Sequence, residues 1–325
     1  MDITIKEIEY IKPYDYISGK LELNIYGKDI NIKIINALRR VACDYIPTYA
    51  FPPELINIEE NTSEAFNNDY MRTRLKFIPI LNIDNGISYL HEEYWKEIEY
   101  NDIKRKKHEN EKSIEININA NNKTKEIINI TTNDIKYYED GKEIEPYNKE
   151  YPHLIIKLRT NERFKCHMKS AIGIGHKVAF WNAARNAYYI EENNKYKLTI
   201  ESTGQITEYK IIRKACIYIM KKMENIVIEI ERKIKKEDII GDKIIKFILE
   251  GEDHTIGELL NYELQNHEDI LGSGISKPDL LIDNITIKMT SNKGIPIEAI
   301  KETIKIIINK FKKIEEIIKG LEKNI

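Results

Sequence analysis

Four neighbouring side chains in the last third of the chain could do chemistry: Glu252, Asp253, His254 and Thr255. Two carboxylates, an imidazole and a hydroxyl could serve acid–base catalysis or hold a metal ion. Catalysis would need a nucleophile or a second base nearby, and a metal would need further ligands at the spacing of an HExxH helix; the sequence shows neither. Thr255 followed by Glu258 fits a capping box instead, in which the hydroxyl binds an amide and the carboxylate reaches back. We therefore predict a helix that begins at Thr255, with an acid favoured just outside its positive end.

A second candidate site combines Cys166 and His167 with His176, as in a zinc site or a Cys–His nucleophile. Cys166 alternates with Phe164 and Met168, which places it on the apolar face of a predicted strand. A buried thiol without a catalytic role is the better interpretation.

The glycines at 173 and 175 resemble the start of a phosphate-binding loop. The third glycine position is Val178, and no clear βαβ unit surrounds the pair, so this signal is weak. We predict a tight turn that exposes His176, Lys177 and Trp181.

Arg39 and Arg40 lie next to each other on the polar side of a predicted helix. They could form a solvated face or an interface, since the planar guanidinium pairs well when it loses water. The residues alone leave both interpretations open.

Composition limits the classes of protein. The chain has 325 residues, 42% hydrophobic and 32% charged, with a formal net charge of −2. This size suits one large or two ordinary domains, and the near-neutral charge gives no support to a nucleic-acid-binding class. Three distant cysteines exclude a disulfide framework and favour a reducing compartment. We expect no signal peptide, no membrane span and no membrane partner.

Hydrophobic periodicity predicts four helices, at 31–45, 207–223, 255–265 and 297–321, each with one apolar stripe. Two parts of the chain share the order strand, helix, strands, long helix, which indicates an internal repeat. An Asn-, Lys- and Glu-rich stretch interrupts the first part and predicts a β-rich insert. The predicted domains are 1–81 and 151–225 for the N-terminal repeat, 82–150 for the insert, 226–242 for a charged connector and 243–325 for the C-terminal repeat.

Several stretches together resemble a known family. In chain order they are NALRRVACDYIPTYAF, NTSEAFNNDYMRTRLKFIPI, GIGHKVAFW, TIESTGQITEYKIIRKA and LEGEDHTIGELLNYEL. The first four resemble the larger alpha-like subunit of multisubunit DNA-dependent RNA polymerases, and the last resembles the smaller alpha-like subunit. Both occur here in one chain, an arrangement similar to the fused subunit of large cytoplasmic DNA viruses.

The resemblance implies an α+β fold: two alpha-like dimerisation units, with helices packed on antiparallel sheets, paired about a pseudo-twofold axis. The first unit would be split by the inserted β-rich domain. It also implies a non-catalytic assembly platform for the two largest, catalytic subunits, with small polymerase subunits as further partners and DNA bound only indirectly. We expect no homodimer, no cofactor, and a location in the cytoplasm (viral factory and virion) or in the nucleus, within the polymerase.

The resemblance also implies partner-binding residues. The NALRR motif would contact the second-largest subunit through Arg39 and Arg40, whereas the matching positions of the C-terminal repeat are Asn261 and Tyr262. Differing contacts imply that each repeat recognises a different large subunit. The full set of expected partner-binding residues is Asn36, Arg39, Arg40, Arg72, Arg74, His176, Lys177, Trp181, Glu252, Asp253 and His254, with Thr255 and Glu258 as the helix cap.

Two departures from the family pattern qualify the resemblance. Some members carry a Cys-rich metal element in the insert, but residues 82–150 contain no Cys, so we predict no metal. The GYxxxHP turn of the smaller subunit reads GSGISKP here, with Ser273 for Tyr and Lys277 for His, so the family's contacts at that turn are not carried over to this chain.

Two other functions compete with an assembly subunit. A stand-alone nucleic-acid-binding transcription regulator would use Arg39, Arg40, Arg72 and Arg74 as its basic surface. A hydrolase would be built on Cys166 and the histidines at 167 and 176.

Overall fold

The computed structural model describes residues 1–13, 19–102, 104–233, 239–240, 244–279, 282–292 and 296–323. In the N-terminal two thirds the elements are β1 (Thr4–Ile11), β2 (Lys20–Tyr26), α1 (Ile32–Asp44), β3 (Thr48–Ala50), β4 (Ile56–Asn61), α2 (Asn68–Leu75), β5 (Ile114–Asn121), β6 (Ile128–Thr131), β7 (Ile135–Glu139), β8 (Lys142–Ile144), β9 (Leu154–Leu158), β10 (Arg163–Lys169), β11 (Ala171–Gly173), β12 (Ala184–Glu192), β13 (Lys195–Ser202) and α3 (Glu208–Lys233). The remaining elements are β14 (Ile239–Ile240), β15 (Ile244–Glu250), α4 (His254–Gln265), β16 (Ile270–Ser276), β17 (Asn284–Ser291) and α5 (Pro296–Glu322). Short 3-10 turns lie at Pro53–Leu55, Glu92–Tyr94 and Ala179–Trp181.

The chain contains the same folding unit twice. The first unit consists of β1, β2, α1, β12, β13 and α3, with an antiparallel sheet in the order β1-β2-β13-β12. The second unit consists of β14, β15, α4, β16, β17 and α5, with the sheet order β14-β15-β17-β16. The two orders are identical once equivalent strands are matched, which confirms the predicted repeat and the α+β class.

The helices form where the sequence predicts apolar stripes. Asn31 caps α1 by accepting hydrogen bonds from the amides of Lys33 and Ile34, at 2.9 and 3.1 Å. The stripe of α1 is fully buried, including Leu38, whereas its opposite side is half exposed. Pro47 follows and cannot continue the helix.

One hydrophobic core joins the two units. It contains side chains from both, among them Leu38 of α1, Ile212 of α3, Leu260 of α4 and Ile304 of α5, each no more than 1% exposed. Helix α1 packs against α4, and α3 packs against α5; α3 also touches β15, and α5 touches β1. Each helix therefore pairs with its equivalent in the other unit, α1 with α4 and α3 with α5, as a pseudo-twofold axis requires.

The inserted domain is larger than predicted. Its five-stranded sheet has the order β4-β10-β5-β7-β8, so strands from before residue 82 and after residue 150 belong to it. Phe164, Cys166 and Met168 of β10 are buried in its separate core, which extends from Tyr49 to Ile174. The change in composition at 82 and 150 therefore does not mark where the sheet begins and ends.

The connector is shorter than predicted. Helix α3 continues to Lys233, so residues 226–233 of the predicted connector are helical, and Ile226 and Ile230 are buried in the shared core. Residues 234–238 and 241–242 lie outside the described part of the chain. No helix among the described residues is long and apolar enough to cross a membrane.

Because the two units share a core, we expect them to unfold together. Leu38→Ala should lower the free energy of unfolding by about 2–5 kcal/mol, since it opens a cavity at a site that helices of both units surround. Hydrogen exchange measured by mass spectrometry, along a denaturant series, should show α1, α3, α4 and α5 losing protection in one step. Ile127→Ala, at a 63% exposed position, is the matched control. Loss of protection in the second unit alone would contradict a shared core.

Candidate partner-binding site at the junction of the two units

Three residues of the quartet, Glu252, Asp253 and Thr255, are buried near the junction of the two units, whereas His254 is exposed. Asp253 is the N-cap of α4, since its Oδ1 accepts a hydrogen bond from the amide of Thr255 at 2.7 Å. Its other oxygen, Oδ2, lies 2.7 Å from a guanidinium nitrogen of Arg40 in α1. One carboxylate therefore caps a helix of the second unit and pairs with a helix of the first.

The predicted capping box is wrong. Thr255 lies inside the helix, and its buried hydroxyl has no hydrogen-bond partner within the described part of the chain. Glu258 pairs instead with Lys33 of α1, at 2.9 Å. Asp253 caps in its place because its backbone is extended just before the helix and its short side chain reaches the second amide.

The pairing of α1 with α4 is antiparallel, and polar contacts occur at both ends. Arg40, late in α1, meets the start of α4, while the α1 cap residue Asn31 donates to Glu263, late in α4, at 3.5 Å. Glu263 is also bound by Lys310 of α5, at 2.8 and 2.9 Å. These contacts fix the register of the two helices.

A buried ion pair joins α3 to the loop before α4. Lys222 Nζ lies 2.8 Å from Glu252 Oε1, and the two side chains are 12% and 6% exposed. Burial raises the pKa of Glu252 to about 7, although Lys222 opposes the shift. Burial alone would lower the pKa of Lys222, but the neighbouring Glu252 charge raises it overall.

The long helices α3 and α5 are also antiparallel and are linked by charge at both ends. Arg213 of α3 pairs with Glu315 and Glu322 of α5, at 2.9 and 2.6 Å. Near the other end Lys301 of α5 pairs with Glu231 of α3, at 2.6 Å. The Arg213 pairs are largely buried, so they restrict how the two helices can slide.

Two loops complete the junction. His176 stacks on Tyr45 at 4.9 Å, and its Nε2 lies 3.3 Å from Asp283 Oδ2 of the second unit. Lys277 pairs with the same carboxylate at 2.9 Å and holds the pKa of Asp283 below its usual value. Lys277, which departs from the family pattern, thus takes part in the contact between the units.

Comparison with known proteins identifies the architecture. The family described as the RNA polymerase Rpb3/Rpb11 dimerisation domain matches residues 27–223, and a second form of the same domain matches residues 244–316. The first match alone covers more than half of the chain. The chain belongs to the Rpb3/Rpb11 family.

Two relatives support this assignment. A protein of Acanthamoeba polyphaga mimivirus, named as a putative DNA-directed RNA polymerase subunit, is 29% identical over 323 residues, which cover 92% of this chain and 90% of that protein. The DNA-directed RNA polymerase subunit Rpo11 of Sulfurisphaera tokodaii is 32% identical over 84 residues, which cover 26% of this chain and 90% of that protein. The predicted resemblance is confirmed: one chain contains two Rpb3/Rpb11 domains.

The expected partner-binding residues fall into two groups. Trp181 is buried at 1% exposure and donates to the carbonyl of Ala171, so the prediction that the turn exposes it is wrong. The amino group of Lys177 binds the carbonyls of Trp95 and Ile98 and is likewise used within the chain. Arg40, His176, Glu252 and Asp253 join the two units as described above.

The other expected residues face outward. Arg39 bonds to Asn36 on the half-exposed side of α1, and His254 is exposed at the start of α4. Arg72 and Arg74 lie on α2 of the inserted domain, where Arg72 pairs with Asp69 at 3.3 Å. The arginines of α1 and α2 thus lie on helices of different domains, so neither helix alone carries the four arginines proposed for a nucleic-acid-binding regulator.

The hydrolase alternative does not fit the geometry. Cys166 is 2% exposed, and burial raises the pKa of its thiol to about 12, which disfavours the reactive thiolate. His167 points to the other face of β10, where its Nδ1 lies 2.5 Å from Asn117 Oδ1. The turn at 173–175 also has a packing reason, since a Cβ on Gly173 would lie 2.6 Å from the Trp181 ring. The described residues contain no cluster that could hold a metal ion.

Sequence reasoning missed a strap, residues 84–92, that lies along α3. Lys214 of α3 binds Asp84, Asn85 and the carbonyl of Ile87, between 2.8 and 3.0 Å. The strap ends beside the second unit, where a Cβ on Gly251 would lie 2.8 Å from a Glu92 oxygen. Lys214 lies within the apolar face of the α3 sequence. A buried cation needs a partner, so this lysine could have indicated that another segment packs on α3.

The Glu252 site predicts a pH dependence. Between its ordinary pKa of 4.5 and about 7, the folded state holds more protons on Glu252 than the unfolded state does. The stability that this residue contributes should therefore fall as the pH rises through that range, by up to about 3 kcal/mol at ~1.4 kcal/mol per pKa unit. Urea unfolding of the unmodified chain and of Glu252→Gln, from about pH 5 to pH 8, measures the difference. A difference that is constant with pH would show that Glu252 titrates normally.

Proposed function

We propose that this chain is the assembly platform of a multisubunit RNA polymerase, a single-chain equivalent of an alpha-like heterodimer. One observation carries the proposal: the two dimerisation units are already paired with each other through α1–α4 and α3–α5 over one core. The surfaces by which such domains dimerise are therefore already buried within the chain. What remains for partners is the outside of the pair.

The fusion makes the pairing intramolecular. Joining the two units in one chain gives the second unit an effective concentration of about millimolar at the first, with no new contact needed. The ion pairs of Arg40, Lys222 and Arg213 each join one unit to the other, so they select this partner and its register. A second copy of the chain would find these groups occupied.

We place RNA synthesis in the two largest subunits and not in this chain. The two acids that suggested catalysis are used in packing: Asp253 caps a helix, and Glu252 pairs with Lys222. Small subunits would join the same assembly, and DNA would be bound only through it. The protein would act wherever that polymerase transcribes, in a cytoplasmic viral factory and virion or in a nucleus.

The second-largest subunit would bind the outer side of α1. Ile32, Asn36 and Arg39 lie on that side at helical spacing, and Ile32 is 40% exposed. The second unit has Asn261 and Tyr262 where the first has Arg39 and Arg40, and Asn261 is buried against Ser273. The two outer faces thus differ in charge and shape, which supports a different large partner for each.

Arg39→Ala should weaken binding of the second-largest subunit by roughly tenfold or more, because arginines at the centre of an interface carry much of its energy. A tagged chain purified from its native cells, with subunit stoichiometry measured by mass spectrometry, tests this. Arg163→Ala, on the exposed face of the inserted domain, is the control. If the Arg39→Ala chain still recovers both large subunits, the proposed role of Arg39 is wrong. If the unmodified chain recovers neither, the proposed platform function is wrong.

The isolated chain should be monomeric. Among the described residues, the apolar stripes of its dimerisation helices are buried against each other and are not available to a second copy. Light scattering should give a mass near 38.3 kDa across a range of concentrations. A mass of twice that value would mean that units pair between chains and not within one.

A further inference from the structure

A groove runs between the first unit and the inserted domain, and the contacts described so far leave it open. Its two halves have volumes of about 380 and 500 Å³ and share residues 77–79 and His153. Together they are large enough for two or three side chains of a partner. We call this feature the basic groove.

The basic groove presents apolar side chains on a fixed backbone. Phe77 is 62% exposed and Leu154 is 40% exposed, side by side on its wall. The backbone around Phe77 is held in place, since the amides of 77 and 78 donate to Arg74 and Leu75 and the Tyr147 hydroxyl donates to the Pro79 carbonyl at 2.8 Å. A large apolar side chain held rigidly in water can bind a partner with little loss of conformational freedom.

The ionisable side chains that line the basic groove include cations but no carboxylates. Arg74, Lys76 and Arg185 line the groove, and no Asp or Glu does. Within the described part of the chain none of these three cations has an ion-pair partner: Arg74 donates to the Leu154 carbonyl, and Lys76 lies over the Phe77 ring. Three unneutralised cations on a chain of net charge −2 form a local site for negative charge.

We propose that the basic groove binds an extended segment of another polymerase subunit, in which an Asp or Glu lies next to a large apolar side chain. The apolar side chain would pack on Phe77 and Leu154, and the carboxylate would pair with Arg74 or Arg185. This inference rests on the proposed function, since it takes the partner to be a member of the same polymerase.

A protein segment fits the groove better than a nucleic acid does. Single-stranded nucleic acid prefers several aromatic faces along a continuous positive track. Phe77 is the one strongly exposed aromatic ring of the lining, and the apolar residues beside it, Leu154, Ile78 and Pro79, are aliphatic. Such a lining favours aliphatic and aromatic side chains, and the cations set the sign of the flanking charge.

Photocrosslinking in the assembled polymerase tests the inference. Phe77 is replaced by p-benzoylphenylalanine in the full chain, the complex is purified from native cells, and the crosslinked peptides are identified by mass spectrometry. Ile127, exposed on the same domain but outside the groove, carries the probe in the control. We expect one crosslinked peptide, from another polymerase subunit, with an acid beside an apolar residue. Arg74→Glu combined with Arg185→Glu should lower its yield about tenfold, whereas Arg159→Glu, an exposed arginine outside the groove, should not.

The other possible results of the crosslinking experiment would each contradict one part of the proposal. If the polymerase assembles but Phe77 crosslinks only to nucleic acid, only within the chain, or no more than the Ile127 control, the groove proposal is overturned and the platform stands. A crosslinked peptide without an acid, or one unaffected by the double charge reversal in chains that keep their thermal midpoint, overturns the charge argument. If no large subunit is recovered with the unmodified chain, both proposals fall.

Discussion

The structure depends on one requirement: each unit has two amphipathic helices whose apolar stripes its own four-stranded sheet cannot fully cover. The solution is to pack α1 on α4 and α3 on α5, so that Leu38, Ile212, Leu260 and Ile304 share one core. Since each buried aliphatic side chain is worth ~1.5–3 kcal/mol, the pairing is part of the fold and not an optional contact. The inserted domain keeps its own core and touches this arrangement through the strap along α3.

Polar groups make this pairing specific. Hydrophobic stripes alone would permit several registers, but Arg40–Asp253 and Lys222–Glu252 form in only one, and removing one partner leaves a charge without compensation. The same groups break the pseudo-symmetry, because Arg40 matches Tyr262, and the α1 cap is an asparagine where the α4 cap is an aspartate. A platform that must bind two unlike catalytic subunits needs such an asymmetry on its outer faces as well.

The features that depend on local sequence patterns could be predicted from the sequence. The stripe of α5, the end of α1 before Pro47 and the buried face of Cys166 follow from periodicity and backbone chemistry, and the repeat follows from element order. The sequence predicts outer surfaces for several residues that lie at the junction. A charged side chain is expected to be exposed unless its ion-pair partner is known. Glu252 and Lys222 lie thirty residues apart and meet only through the fold. The edges of the inserted domain were missed because β10 pairs with β4, about a hundred residues earlier.

The central claim is that one chain contains a complete pair, held by its helices and not by the link between them. A protease site inserted between α3 and β14 is used to cut the chain into its two units. Native mass spectrometry after cleavage should show the two fragments as one particle with the mass of the intact chain, and that particle should still recruit both large subunits. Separation into free fragments, or exchange into particles with two copies of one fragment, would contradict the account.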